Sequence, residues 1–479
     1  MIATAAAHKT GLPALERRLA QDLEWLDLPA KPWIKPATVQ GQPLLDVAVI
    51  GGGMAGLAAT TAMTHLGIQA RIYDQAKQGF EGPWATIARM ETLRSPKQLT
   101  GPALGLPALT FRAWFEAQYG LEAWQALDKI PRLQWMDYLR WYRQVMNVDV
   151  RNEHHVTHIQ PHADHVELHI DAATTGTQTV RARHLVLATG RAGLGGPHVP
   201  NFIDGVDKRL WAHSSDVMDY ATLRGLRVGV VGAGASAMDS AATALENGAE
   251  HVDLLIRRPD LPRINKGMGA GNAGHVHGFV NLPDAWKWRI RHYINVQQTP
   301  PPHASVLRVS SHDNVSFNLG TPVTAVSEQD GILQVQTPHK TFELDFLILA
   351  TGFQVDWSAH PEFAAIAPHV RSWGDRFQPA PDQQDQWLAD SPDLGPVFEF
   401  QHKPGHDLPG LSRIHCLCFP AALSHGTVSG DIPAVSVGAQ RLARGMASQL
   451  YVENIDQHYR DIEAYDKPEL QGDEWTPAS

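Results

Sequence analysis

The apolar positions of the chain fall first into short unbroken runs. Residues 45–50, LDVAVI, end at a glycine turn, the pattern of a strand covered on both faces. Apolar and small residues then recur at helical spacing to about position 66, and a second run ends at Asp74, so this stretch predicts a strand–helix–strand unit. Residues 225–258 repeat the pattern and end in Arg257 and Arg258. Alternation in Val166, Leu168 and Ile170 marks a half-buried strand. Residues 156–190 and 323–352 echo one another: each reads as an antiparallel meander followed by a buried strand ending in Ala-Thr-Gly. Trp135, Tyr138, Leu139, Tyr142 and Met146 have helical spacing and predict core packing. Near the C-terminus a glycine loop through Gly430 and Asp431 runs into a helix with Pro433 in its first turn.

The two glycine turns carry the chemistry. Gly51, Gly53 and Gly56 have the G-x-G-x-x-G spacing: a tight turn, close approach of backbone to a pyrophosphate, and close packing of helix on strand. The helix opens at Met54 and Ala55, where unpaired N–H groups and a partial positive charge face phosphate. Asp74, followed by Gln75, stands at about the 20-residue separation at which a carboxylate accepts ribose hydroxyls and repels a 2′-phosphate. The first cradle therefore predicts FAD or NAD. The second has Gly232, Gly234, Ser236 and Ala237, with alanine as the small replacement for the third glycine, and carries Arg257 and Arg258 where the first has Asp74. Guanidinium groups pair bidentately with phosphate, which predicts NADPH; the plainer reading is an arginine solvating a strand end. Gly190 and Gly352 close the two Ala-Thr-Gly strands and let the chain cross close to a cofactor.

This order predicts an α/β fold of two nested Rossmann-like dinucleotide-binding domains of the three-layer ββα type, the NADPH domain inserted into the FAD domain. The expected division is an N-terminal helix and arm (1–44), the first part of the FAD domain (45–200), the NADPH domain (201–350) and a return segment with the C-terminal helix (351–479). Residues 193–202 and 351–356 are the expected crossings.

Composition narrows the class of protein. The 479 residues are 43% hydrophobic and 19% charged, enough for extensive cores and a deep site. Forty basic against fifty acidic side chains give a net charge of -10 with no polybasic block, which disfavours nucleic acid or an anionic membrane as partner. Cys416 and Cys418, the only cysteines, form neither a disulfide framework nor a C-x-x-C redox centre, and are read as buried strand residues in a reducing cytoplasm. Residues 1–25 lack an apolar core long enough for a signal peptide, and no transmembrane helix is read.

Several side chains invite a role. Of 25 histidines, His154, His155, His158, His162, His165 and His169 mimic a helix face, but Pro161 breaks such a helix; in a meander His165 and His169 face solvent, and no metal site is expected. Arg94 and Lys97 either hold a cofactor phosphate or substrate carboxylate or are solvated loop charges. His213 lies either against a nicotinamide or packed in a linker. Gly267, Gly269, Gly271 and Gly274 precede an aromatic and basic helix near Asp284, read either as a lid or as a surface insertion. The proline-rich stretch 379–409 borders the site or forms a long connection. Residues 10–36, an amphipathic helix and arm, pack on their own subunit or on another copy, so a homo-oligomer stays open.

With these motifs in place, residues 45–450 resemble the class B flavin-containing monooxygenases, whose branches include N-hydroxylating and Baeyer–Villiger enzymes. The likeness rests on GGGMAGL, on GPW ending at Trp84, on GAGASA, on His213 in LWAHSSD, and on the two Ala-Thr-Gly motifs, the second followed by Phe353. Asp207 and Arg209 stand where the family usually has phenylalanine and glycine, while Phe202 and Gly205 lie further upstream. Met90, Arg94, Ser95 and Lys97 occupy the stretch in which N-oxygenating members place an asparagine. The resemblance implies hydride transfer from NADPH to FAD, addition of molecular oxygen at the flavin C4a position as a peroxyflavin, and delivery of one oxygen atom to a small molecule, at nitrogen or sulfur rather than into a ketone. It implies contact of His213, Arg94 and Trp84 with the cofactors or substrate, and puts the helix after Asp431 near the flavin ring. A flavin reductase without oxygen transfer and a dinucleotide-sensing module are the rival readings.

Overall fold

The computed structural model describes residues 11–475; residues 1–10, which form part of the stretch read for a leader, lie outside the described residues. Two sheets organise the chain, one mixed and one parallel, each built around one of the glycine turns. In the larger, the strands run Val150–Arg151, Ala70–Tyr73, Gln42–Ile50, Gly176–Leu187, Val166–Ala172, His154–Pro161, and Ile414–Cys416 adds in parallel beside Gly176–Leu187. The smaller sheet is parallel throughout, in the order Val315–Asn318, His251–Leu255, Arg227–Val231, Phe346–Leu349, Trp211–His213. Its central strands are largely buried, with helix Ala235–Glu246 on one face and a three-stranded antiparallel meander on the other. The architecture is the expected α/β arrangement of Rossmann-like sheets.

The internal echo is real but not symmetric. In the larger sheet one strand of 12 residues, Gly176–Leu187, serves both the meander and the parallel layer. Its counterpart is split into Thr341–Leu344 and Phe346–Leu349, and its meander forms a separate three-stranded sheet. Asp345 makes the break: its carboxylate accepts the backbone N–H of Arg227 at 2.8 Å and the guanidinium at 2.9 Å. A side chain that satisfies a neighbouring backbone donor in this way competes with the strand ladder.

The predicted helices form where expected, over Met54–His65, Arg132–Val145, Ala235–Glu246 and Val435–Glu453. The aromatic helix buries Trp135 and Tyr138 against Phe111, and Tyr142 edge-on to Tyr138. The N-terminal helix Gly11–Trp25 packs on its own subunit, burying Leu19 and accepting the Trp141 indole N–H on Glu16. The stretch 379–409 is no free connection: Leu388, Asp393, Phe398 and Phe400 are all buried. Cys416 and Cys418 are buried and unpaired. Among the described residues no helix is long and apolar enough to cross a membrane.

The two crossings pair with each other. Gly195–Pro197 and Phe353–Val355 form an antiparallel ribbon, in which a Cβ on Gly195 would overlap the Gln354 carbonyl oxygen. His360 fastens it. Its Nε2–H donates to the carbonyls of Ala192 (2.9 Å) and Gly195 (2.8 Å), and its Nδ1–H donates to Glu362 at 2.9 Å. Since every partner is an acceptor, both ring nitrogens carry protons, and the Glu362 carboxylate and these carbonyls push the pKa up from 6.5 to about 9. A pKa raised in the folded state stabilises fully below the unfolded value and loses that contribution as pH rises through the folded value. The protein is therefore expected to lose on the order of 2 kcal/mol of stability between about pH 6.5 and 9 from this group. In urea denaturation across that range, His360→Gln should abolish this slope while lowering stability at pH 6.

Candidate active site

Both cradles are shaped by a carbonyl pressed against the first glycine. Gly51 has φ +103°, and a Cβ there would lie 2.5 Å from the Ala188 oxygen; Gly232 has φ +140°, and a Cβ there would lie 2.6 Å from the Ala350 oxygen. Ala188 and Ala350 are the alanines of the two Ala-Thr-Gly motifs, so each motif buttresses its own glycine turn. Gly56 is equally constrained, since any Cβ would overlap the Gly51 carbonyl oxygen. Ala237, buried in the second cradle, does the packing work of the third glycine there. Each cradle helix is capped by a bare glycine, Gly53 or Gly234, with no side chain bonded to its first turn. The first-turn N–H groups of Met54, Ala55 and Gly56, and those of Ala235 and Ser236, are thus left for an anion, while Ala237 N–H already donates to the Gly234 carbonyl at 3.1 Å. The residues fit a dinucleotide at each turn.

Asp74 braces the first turn, its carboxylate accepting Gly52 N–H at 2.6 Å and Ala76 N–H at 2.7 Å. Burial raises its pKa against those two donors. Lone pairs remain on both oxygens, but the short side chain is committed to the turn. The Gln75 Oε1 instead accepts the His155 Nδ1–H at 3.0 Å. Trp84 lies on the loop that faces Gly53 through Gly82, with its ring edge-on to Trp135. In the second cradle the two arginines part company. Arg258 donates to the Val296 carbonyl at 2.5 Å, whereas Arg257 is exposed and makes no hydrogen bond or ion pair among the described residues.

Between the cradles the two Thr-Gly turns converge. Arg191, directly after Gly190, places its guanidinium 4.5 Å from the Phe419 ring centre and 5.9 Å from that of Phe353, which follows Gly352. His213 is 1% exposed, at the end of the edge strand beside Leu349, with its ring edge-on to Phe353 at 5.6 Å. Its Nδ1 accepts Ser215 N–H at 3.2 Å, so the ring is neutral, as burial also dictates. Its Nε2 is buried without a partner. Asp431 has no partner among the described residues, and desolvation raises its pKa. Gly430 beside it rests on Phe419.

Other expectations need correcting. Lys97 faces no phosphate: its ammonium donates to the carbonyls of Trp124, Gln125 and Leu127, closing the C-terminus of helix Phe111–Ala126. Arg94 reaches across the seam between the two halves and donates to the Pro300 carbonyl. His165 does not face solvent; it is 7% exposed and stacks on His162 at 4.5 Å. His162, His165 and Glu167 bring ligand atoms within 4.8 Å of one another beside a cavity of about 430 Å³, but Arg181 already holds Glu167 at 2.7 Å. The glycine-rich loop forms two short helical turns, Lys266–Ala270 and Ala273–Gly278. Sequence reasoning passed over Arg191 and Arg441. The signal for Arg191 was its place immediately after Ala-Thr-Gly. Arg441 lay inside an amphipathic helix, and nothing in the pattern separates a seam arginine from a solvated one.

A family model described as L-lysine 6-monooxygenase/L-ornithine 5-monooxygenase matches residues 110–270. The chain is 37% identical over 463 residues to a protein of Xanthomonas campestris pv. campestris named FAD-dependent urate hydroxylase, covering 96% of this chain and 98% of that protein. Among solved structures, the ornithine N-hydroxylase of Kutzneria sp. 744, in complex with reduced FAD, NADP+ and L-ornithine, superposes with a TM-score of 0.66 at 17% identity, covering 85% of this chain and all of that one. The ornithine hydroxylase of Pseudomonas aeruginosa does so at 0.67 and 15% identity, with the same coverages. At such identities the structures share the fold.

The clash at Gly56 yields a direct expectation. Gly56→Ala should fold, because the sheets are built from other contacts, yet purify colourless. The absorbance ratio at 450 and 280 nm and flavin release on denaturation check it, with Gly438→Ala, a buried glycine outside both cradles, as the control for packing damage.

Proposed function

The chain belongs to the class B flavin-dependent monooxygenases, and we propose that it binds FAD in the first cradle and NADPH in the second and adds one atom of molecular oxygen to a small, nitrogen-rich substrate. The family membership makes it an oxidoreductase; the reductant, the substrate and the atom oxygenated are our reading. The observation that carries it is the convergence of both Thr-Gly turns on Arg191 and Phe353, which brings the two phosphate-binding turns to one cleft. FAD supplies electron transfer and oxygen activation there. The chain's residues supply the rest: Met54, Ala55 and Gly56 offer N–H groups to the pyrophosphate, and the Arg191 guanidinium, stacked on Phe419, covers the junction and excludes water.

The neutral His213, with its free Nε2–H beside the second Thr-Gly turn, is placed to donate to an amide or phosphate oxygen of the nucleotide. Exposed Arg257 is the group available to a 2′-phosphate, and Arg258, held by Val296, fixes the loop that presents it.

For the substrate, the relative matched over almost the whole length acts, by its name, on urate. That favours a planar nitrogen heterocycle. N-hydroxylation of an aliphatic amine is the second reading, favoured by the family model over residues 110–270. With heavy-isotope oxygen gas, the product should gain one labelled atom and NADPH use should match product formed. Recovery of all the oxygen as hydrogen peroxide would defeat the proposal. Arg257→Ala should raise KM for NADPH by about tenfold or more and leave that for NADH within about twofold, since only the former carries the extra phosphate. Equal effects on both would remove the phosphate assignment.

A further inference from the structure

The helix Asp284–Gln297 is inverted. Trp286, Tyr293 and Val296 point to solvent, 51%, 50% and 51% exposed, while its buried face carries Lys287, Trp288 and Arg291. The two cations are four residues apart, hence neighbours on one face, and each is only 8% exposed. Long cationic side chains ordinarily reach for water. Among the described residues neither makes a hydrogen bond or an ion pair through its side chain, and the Arg291 Nε is buried with no partner.

Two of the three nearest acids are already paired with other cations. Asp393 holds Arg371 at 2.6 Å and Arg376 at 2.9 Å. Asp284 holds Arg376 at 2.8 and 2.9 Å. Asp385 accepts from Leu388 N–H and the Asn295 amide, both at 3.2 Å. The remaining neighbours are basic. Across the seam, Arg441 on helix Val435–Glu453 donates to the carbonyls of His425 and Val276, both at 3.2 Å, and to the His425 Nδ1 at 3.3 Å, all neutral acceptors. His425, stacked on Phe398 at 3.7 Å, is pushed by burial down to about 3 and stays neutral; His275 lies within reach of the Arg291 charge. Burial lowers the pKa of Lys287, Arg291 and Arg441 alike, and Lys287 and Arg441 repel one another.

Asp385 alone offsets part of the Arg291 charge, which leaves the Lys287 and Arg441 charges unmatched, and a folded chain keeps such an excess of buried like charge when something outside the chain supplies the rest of the counter-charge. The group lies next to the junction of the two turns: Trp387 packs against the cluster that holds Trp288, and its ring lies 5.8 Å from that of Phe419, over which Arg191 sits. We propose that Lys287 and Arg291, with Arg441 opposite, form an anion subsite that takes the negative charge of the substrate, a small planar organic anion of the urate type. This rests on the reading that the cleft oxygenates a small molecule. A nucleotide phosphate is the other source of such a charge, and the test separates the two.

The flavin-loaded enzyme is titrated calorimetrically at pH 7.5 with urate, and with benzoate against neutral benzamide as probes of charge alone. The wild-type protein should bind urate, and benzoate more tightly than benzamide. Lys287→Met and Arg291→Met should each weaken urate binding by about tenfold or more and erase the preference for benzoate. Each should also raise the melting temperature of the ligand-free protein, because an uncompensated buried charge has gone. Unchanged anion binding, a lowered melting temperature in both variants, or a rise in KM for NADPH in place of the loss of anion binding would overturn the subsite. Should the wild type select benzoate through these two residues without oxygenating urate, the subsite stands and the substrate reading fails. If urate is hydroxylated equally well by wild type and variants, the subsite fails and the substrate reading stands.

Discussion

Two carbonyl oxygens, those of Ala188 and Ala350, lie so close to Gly51 and Gly232 that no side chain fits between them. This contact ties the end of one strand to the turn that follows another, and so fixes where each helix begins and which way its free N–H groups point. It also explains why the same Ala-Thr-Gly triplet occurs twice: the alanine supplies the pressing carbonyl, and the glycine, with φ +81° at Gly190 and +88° at Gly352, turns the chain out of the sheet. Without that approach the turns would widen, and an anion would meet solvent instead of a ring of donors.

Around these turns the two halves meet through the apolar cluster about Trp288 and through cations that donate to backbone oxygens. Arg94 reaches the Pro300 carbonyl, Arg308 reaches that of Arg89 at 3.0 Å, and Arg441 reaches that of Val276. Such contacts hold orientation beside the Arg376–Asp284 ion pair, which crosses the same seam. The seam is accordingly rich in positive charge near the insert and poor in counter-charge, which suits small anionic ligands and agrees with a net-acidic protein whose basic groups are gathered where they are used.

The parts of the molecule legible in the sequence were those governed by local rules. Glycine spacing, unbroken apolar runs and the repeated triplet located both cradles, because each reports a backbone constraint confined to a few residues. What stayed hidden depended on partners distant in the chain. Lys97 reads as a free charge until helix Phe111–Ala126 is seen to end against it. His165 alternates like a solvent-facing residue, yet the neighbouring turn folds His162 over it. Arg257 and Arg258 are indistinguishable as a pair until Val296 claims one of them. The inverted helix was visible as an aromatic and basic segment, but which side faced inward is decided by Trp373, Trp387 and Leu388, far along the chain, which build the apolar wall that receives Trp288.

The ribbon formed by Gly195–Pro197 and Phe353–Val355 has a mechanical meaning. Because the chain leaves and re-enters the flavin half along adjacent, hydrogen-bonded strands, the two covalent connections form one narrow strip beside the packed seam. Torsion of that strip would swing the nucleotide half as a body without tearing either sheet, and the protonated imidazole of His360 is the rivet that sets its stiffness. Alkaline conditions that unseat the rivet would thus loosen the swivel before they reach either cradle.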